Sequence, residues 1–261
     1  MYALEHKSEA ERLENQALQK DYSLKEELKY LLFEKGNQVL DAGCGSGLLC
    51  KYLAQEYADK NLSITGFDFS DIRVQQAKES LKLAGLKNVK VDQNNLESIQ
   101  GPDNEYDVII SRFVIEHLGA PMKALTELKR ILKPGGMIYL IDLDGIWVNI
   151  HTKNQKLNLM ISKVEKELNV DFTVGRKLGV MISQLGFKNI AWNVTTHSFN
   201  GAELMKEHEN NKTRCEILWP KLVSIFKTES EASYFVDNFL SEMLCPETAV
   251  FHNKFIVRGI K

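Results

Sequence analysis

The stretch DAGCGSG, residues 41–47, sets three glycines within five positions directly after the apolar pair Val39-Leu40. Glycines so spaced let the chain leave a strand in a tight turn and enter a helix whose first N–H groups are free. A nucleotide-like ligand can then press against bare backbone. A dinucleotide-binding turn has the spacing G-x-G-x-x-G, its last glycine permitting close helix–strand packing; here the residue three after Gly45 is Leu48. A phosphate-binding P-loop runs into Lys-Ser or Lys-Thr, and neither follows these glycines. Asp41 would repel a phosphate at the mouth of the turn, but it suits a ligand bearing an ammonium or sulfonium.

On either side of this turn the apolar period switches between that of strands and that of helices. β-like runs stand at 38–41, 63–68, 88–92, 106–111 and 137–143, with helical segments at 47–58, 70–84 and 113–132. Such alternation with short loops gives a parallel sheet with helices on both faces, and the apolar runs VIIS and MIYLI fit strands buried on both sides. The fold class is α/β: a doubly wound, mostly parallel, Rossmann-like sheet whose ligand lies beyond the C-terminal strand ends. Residues 1–34 read as an N-terminal helical cap, broken near Asp21-Tyr22-Ser23, where Ser23 caps a second helix and Glu26 completes a capping box. Residues 35–261 form the core, with helical insertions at about 145–172 and 200–247. The first insertion reads as helical over 146–168, and the second as two helices near 214–227 and 231–244. Between them, 175–187 is a helix closed by Gly186 and 188–199 a strand; FHNKFIVRGI is a final strand.

Two further carboxylates follow at strand ends. Asp68, in TGFDFS, lies about 20 residues beyond the glycine turn, where it can accept hydrogen bonds from both hydroxyls of a ribose. Asp92, in VKVDQNNL, can accept from an adenine amino group while the Gln93 backbone N–H meets the ring. Three acidic residues at three consecutive strand ends suit an adenosine with a cationic tail and suit a pyrophosphate poorly.

Composition sets the bounds on function. With 44% hydrophobic and 26% charged residues the chain is an ordinary globular one, and a formal net charge of −2 gives no general attraction to nucleic acid. The polar N-terminus shows no secretory signal, and no apolar stretch is long enough to cross a bilayer. Cys44, Cys50, Cys215 and Cys245 have no metal-site spacing, so a reduced, cytoplasmic enzyme without a metal centre is expected.

The segments VLDAGCGSG, ITGFDFS, VKVDQNNLES, EYDVIISRFVIEHL and LKRILKPGGMIYLIDLD together resemble a class I S-adenosylmethionine-dependent methyltransferase, in that family's order and spacing. The resemblance covers roughly residues 9–199 and the final strand. SEAERLENQ and GRKLGVMISQLGF are similar to a small-molecule branch of the family, whereas 202–244 carries no matching motif. The resemblance implies a Rossmann-like methyltransferase fold, S-adenosyl-L-methionine as cofactor and a small-molecule acceptor, with no nucleic acid or membrane partner and a monomer or homodimer. It implies that Asp41, Gly43 and Gly45 line the methionine part, Asp68 the ribose, and Asp92 with Gln93 the adenine. Phe69 would lie against the adenine face, Ser111 and Arg112 would border the methionine moiety and substrate, and Arg12 and Gln16 would reach the cofactor from the cap. One departure is the loop ESIQGPDNE before the fourth strand, slightly longer than the family's.

His117, after the fourth strand, is the candidate catalytic base, because a neutral imidazole suits proton removal near pH 7; the competing role is a helix-capping or packing histidine. His6, Tyr2 and Tyr22 on the cap are candidates to touch substrate. Trp147, Trp192 and Trp219 either shape an apolar pocket or fill core. Arg112 also has a plain alternative, pairing with a nearby carboxylate. Two other functions remain open at this point: a non-catalytic protein that binds or senses S-adenosylmethionine, and a nicotinamide-dependent oxidoreductase on a similar sheet.

Overall fold

The structure, a computed structural model, describes residues 23–150, 152–168 and 170–261. The cap residues Arg12, Gln16, His6, Tyr2 and Tyr22 lie outside the described residues. Seven strands form one sheet: β1 (Gln38–Ala42), β2 (Ser63–Asp68), β3 (Val89–Gln93), β4 (Tyr106–Arg112), β5 (Leu132–Asp144), β6 (Lys188–Ser198) and β7 (Phe251–Ile260), in the order β3-β2-β1-β4-β5-β7-β6. The pairs β1–β2, β1–β4, β2–β3 and β4–β5 are parallel. β7 reverses direction: Lys261, just past its end, exchanges hydrogen bonds with Gly135 and Gly136 near the start of β5. Helices α1 (Leu24–Glu27), α2 (Leu48–Glu56), α3 (Asp71–Leu83), α4 (Pro121–Ile131) and α6 (Leu178–Gln184) accompany the sheet. The remaining helices are α5 (Gln155–Glu167), α7 (Gly201–Phe226) and α8 (Glu229–Met243).

Period-two alternation divides the strand side chains between two apolar layers. Val39, Val108, Ile110, Tyr139 and Ile141 join one buried cluster; Leu40, Ile109, Ile138 and Leu140 join the other. The sheet is covered on both faces, as the continuous apolar runs required.

The described chain divides into two compact units. One comprises 23–142, 174–194 and 255–261; the other comprises 143–173 and 195–254. The second has its own core, in which Trp147, Phe226, Phe235 and Phe239 meet ring to ring. No helix among the described residues is long and apolar enough to cross a membrane.

Several boundaries differ from the sequence expectation for identifiable reasons. The helix expected over 113–132 is a single turn, Ile115–His117, followed by α4, because Pro121 forces Ala120 out of the helical region (φ −133°, ψ 69°). β5 begins at Leu132, so Lys133-Pro134-Gly135-Gly136 lies inside the strand. The first insertion becomes helical only at Gln155, since Gly145 and Trp147 adopt left-handed backbone and Asn154 caps the helix by accepting from the Leu157 N–H. α7 starts at Gly201, well before the expected 214, and ends where Lys227 turns left-handed. Helix near the N-terminus stops at Glu27; Leu28, Leu31 and Phe33 pack into the core from turns, leaving Leu32 88% exposed. Ser23 stands at the N-cap of α1 without a side-chain capping bond, and Glu26 pairs instead with Lys29. Trp192, on the edge strand β6, is exposed rather than buried in a core or pocket.

Candidate functional site

The glycine turn follows β1 and is tied to the end of β2. The N–H groups of Gly43 and Cys44 both donate to the Phe67 carbonyl, at 2.7 and 2.9 Å. Gly43 has φ +87°, and a Cβ there would lie 2.4 Å from Val114 Cγ2, so glycine is required by both conformation and space. Gly45 is different: it too has positive φ, but no atom lies within 4 Å of the position a Cβ would take. Its N–H donates to Asp68 Oδ2 at 2.8 Å, while Asp68 Oδ1 accepts from the Ser70 N–H at 2.9 Å. Asp68 therefore braces the turn, and Ser70 caps α3 by accepting from Arg73 N.

Asp41 sits at the end of β1, level with Gly66 of β2 and Ile110 of β4, and is only 2% exposed. It accepts from Cys50 Sγ at 3.3 Å. Burial pushes its carboxyl up to about 7, against the opposing pull of Cys50 and of the Arg112 charge. Glycine at position 66 makes room for this arrangement, because a Cβ there would lie 2.8 Å from Cys44 Sγ and 3.0 Å from Cys50 Sγ. Hydrogen bonding to Cys44 and burial push the Cys50 thiol well up, so it acts as a donor to Asp41.

Beyond β4, the Ser111 side chain is buried and its Oγ has no hydrogen-bond partner among the described residues. Arg112 bonds the buried Glu27 carboxylate through Nε (2.6 Å) and a terminal nitrogen (3.4 Å), and its guanidinium lies over the Phe113 ring. Arg112 thus has a nearby carboxylate partner, as its plain alternative named. Phe113 takes a left-handed φ of 57°, which turns the chain at the strand end. His117 closes the short turn after it, with Nε2 3.3 Å from Glu116 Oε1.

At the outer strands, Phe69 is 64% exposed and its carbonyl accepts from the Gln93 side chain at 3.0 Å. Asp92 is exposed at the end of β3, beside Gln93, which pairs in register with Asp68.

Three supporting residues escaped the sequence reading. Glu27 holds Arg112; its signal was a carboxylate within the apolar stripe Leu24, Leu28, Leu31. Asn94 donates its backbone N–H to the Asp68 carbonyl and pins Gln100 through its side chain, and no spacing announced it. Asp142, buried in β5, accepts from the Glu116 N–H.

The residues present fit an adenosyl ligand with a cationic tail. Among the described residues, Gly45 leaves an open cradle at the backbone, Ser111 Oγ has no hydrogen-bond partner, and Asp41 is a buried carboxyl on which the Arg112 charge only partly offsets burial.

A family model described as "Methyltransferase domain" matches residues 33–216. A demethylmenaquinone methyltransferase of Listeria welshimeri is 34% identical over 118 residues, 45% of this chain and 50% of that protein. An uncharacterized methyltransferase of Schizosaccharomyces pombe is 29% identical over 164 residues, 58% of this chain and 56% of that one. The chain thus spans about half the length of the curated relatives it matches. Among solved structures, a putative methyltransferase from Bacillus halodurans aligns with a TM-score of 0.64 at 16% identity, covering 92% of this chain and 98% of that one. Phosphoethanolamine N-methyltransferase 2 of Haemonchus contortus, in complex with S-adenosyl-L-methionine, aligns with a TM-score of 0.60 at 18% identity, covering 92% and 53%. The sheet order, the glycine turn and the matched span together make this chain a member of the methyltransferase domain family.

Proposed function

We propose that this chain transfers a methyl group from S-adenosylmethionine to a small-molecule acceptor. The observation that carries the reading is the convergence of open backbone at Gly45, the buried Asp41 carboxylate and the unused Ser111 hydroxyl at adjacent strand ends. When bound, the cofactor supplies a methyl already activated on a positive sulfur.

The chain's own residues hold and orient. Gly43 and Gly45 let a ligand approach the turn, and Asp68 accepts from ribose hydroxyls with the lone pairs its two backbone donors leave free. Asp92, Gln93 and Phe69 receive the base. Asp41, Ser111 and Arg112 meet the methionine end, where an incoming cation favours the ionised form of Asp41 and draws its proton off. Arg12 and Gln16 complete the cofactor contacts from the N-terminal cap. His117 takes the acceptor's proton, and the neighbouring Glu116 carboxylate favours the imidazolium that forms.

A small-molecule acceptor is supported by the names of relatives that act on demethylmenaquinone and on phosphoethanolamine. A net charge of −2 supports an acceptor other than nucleic acid, and four free cysteines support the cytoplasm as the working compartment. A monomer or homodimer, with no membrane partner, completes the reading.

Calorimetric titration with S-adenosylhomocysteine, with NADH as control, tests it. Binding of S-adenosylhomocysteine alone is the expected result. Binding of NADH alone, or of neither, overturns the proposal.

A further inference from the structure

The sheet-bearing unit keeps a carboxylate inside an apolar layer. Leu24, Leu28, Leu31 and Phe33 join the core cluster, and Glu27, in the same stripe, is buried with them. Its backbone is fixed from two sides. The N–H donates to the Ser23 carbonyl at 2.9 Å, and the carbonyl accepts from the hydroxyl of the fully buried Tyr139 in β5 at 2.6 Å. Its carboxylate accepts from Arg112 Nε on one oxygen and from a terminal guanidinium nitrogen on the other. The guanidinium carbon also lies 4.3 Å from the centre of the Phe113 ring, so Arg112 is held by two partners of different kinds.

An ion pair in such surroundings gives little net stability of its own, since apolar side chains of similar volume often do as well or better. What it contributes is a placed charge. Arg112 stands two residues beyond Ile110, which is level with Asp41 on the neighbouring strand. Burial raises the Asp41 carboxyl; Cys50 of α2 and the Arg112 charge oppose it, and Asp68 at the end of β2 adds to it. Glu27, Arg112 and Asp41 thus share one electrostatic neighbourhood at the strand ends. Removing the Glu27 charge makes that neighbourhood one unit more positive, whatever else Arg112 meets.

S-adenosylmethionine and S-adenosylhomocysteine have the same adenosine and the same amino-acid end. They differ by one methyl and by the positive charge on sulfur. A protein charge acting on the sulfur therefore separates the two ligands, while contacts to their shared parts cancel in the ratio of affinities.

We propose that Glu27 is a positioning residue of the cofactor site: by holding Arg112 and offsetting its charge, it lets the end of β4 accept a sulfonium, and so favours S-adenosylmethionine over S-adenosylhomocysteine. Glu27 acts through Arg112 and needs no contact with either ligand. The assignment rests on the function proposed above, in which Asp41, Ser111 and Arg112 meet the methionine end.

Calorimetric titration of the full chain with each ligand, in the native sequence and in Glu27→Gln, tests it. The native chain is expected to bind both. In Glu27→Gln the ratio of S-adenosylmethionine to S-adenosylhomocysteine affinity is expected to fall about fivefold. Glu27→Asp, shorter by one methylene but still charged, is expected to keep the native ratio even where both affinities drop. Combining Glu27→Gln with Arg112→Gln removes one charge of each sign, and the ratio is expected to return to within about twofold of the native one. If Glu27→Gln fails to fold, Glu27→Met, also neutral and of similar length, is read in the same way. An unchanged ratio in the neutral variant, or an equal fall in Glu27→Asp or in the double variant, overturns the assignment and leaves Glu27 a purely structural residue. Binding of neither ligand by the native chain removes the methyltransferase reading itself, and the assignment with it.

Discussion

Asp41 shows how one buried group ties stability to pH. Its carboxyl ordinarily titrates near 3.8 and here near 7, so the folded chain holds more protons than the unfolded chain across that window. The contribution of Asp41 to apoprotein stability therefore falls as pH rises from about 4 to about 7 and levels off above. His252 acts with the opposite sign: its value drops from 6.5 to about 4, so its contribution grows as pH rises through that range. Urea denaturation of the native chain and of Asp41→Asn isolates the first effect. The difference in stability between them is expected to shift against the native chain by on the order of 2–4 kcal/mol between acid and neutral pH; a constant difference would refute the assignment.

Asp68 has two separable duties, bracing Gly45 and Ser70 and receiving the ribose. In Asp68→Asn the amide oxygen still accepts from one backbone N–H while the amide NH2 faces the other, so thermal stability should fall by about 1 kcal/mol and S-adenosylhomocysteine affinity should drop by about 1–3 kcal/mol. The glycines divide in the same way. Gly43→Ala drives a methyl into Val114 and should destabilise the fold by about 1–3 kcal/mol. Gly45→Ala meets open space but must hold a φ of +53°, so it should cost about 1–2 kcal/mol in thermal stability, and calorimetric titration should show a loss of ligand affinity beside it.

At the scale of elements, the Glu27–Arg112 pair joins α1 to the end of β4, with Tyr139 donating to the Glu27 carbonyl from β5. Glu27 is 1% exposed, and removing one member of a buried ion pair leaves the other uncompensated. Glu27→Ala should cost about 3–5 kcal/mol in urea denaturation, whereas replacing both residues by apolar ones of similar volume should recover most of that loss. These contacts join residues 85 and 112 apart, so no local pattern announces them. By contrast, Ser70 capping α3, Gly186 ending the turn after α6 and the parallel strands β1–β5 were legible because each rests on neighbours within a few positions. The break at Ala120 was legible in principle too, since Pro121 is itself the cause.

At the scale of the molecule, the sheet-bearing unit and the helical unit each bury an apolar cluster of their own. Phe235 is fully buried at the centre of the second, against Trp147, Phe226 and Phe239. Phe235→Ala should cost about 3–5 kcal/mol and change the near-ultraviolet circular dichroism of Trp147. Hydrogen exchange should show protection falling first in the amides of α7 and α8. Loss of protection centred on β1 and β4 instead would show that the helical unit has no separate core stability.

The sequence by itself determined the α/β class, the strand-end position of Asp41, Asp68 and Asp92, and the glycine turn. Hydrophobic period, turn residues and motif spacing are local quantities, and they act before any distant contact exists. Only the tertiary structure decided the protonation balance of Asp41, the partner of Arg112 and the idle hydroxyl of Ser111. Each of these depends on burial and on groups far apart in the chain. Desolvation and pairing are set by what surrounds a side chain in three dimensions, not by the residues beside it in sequence.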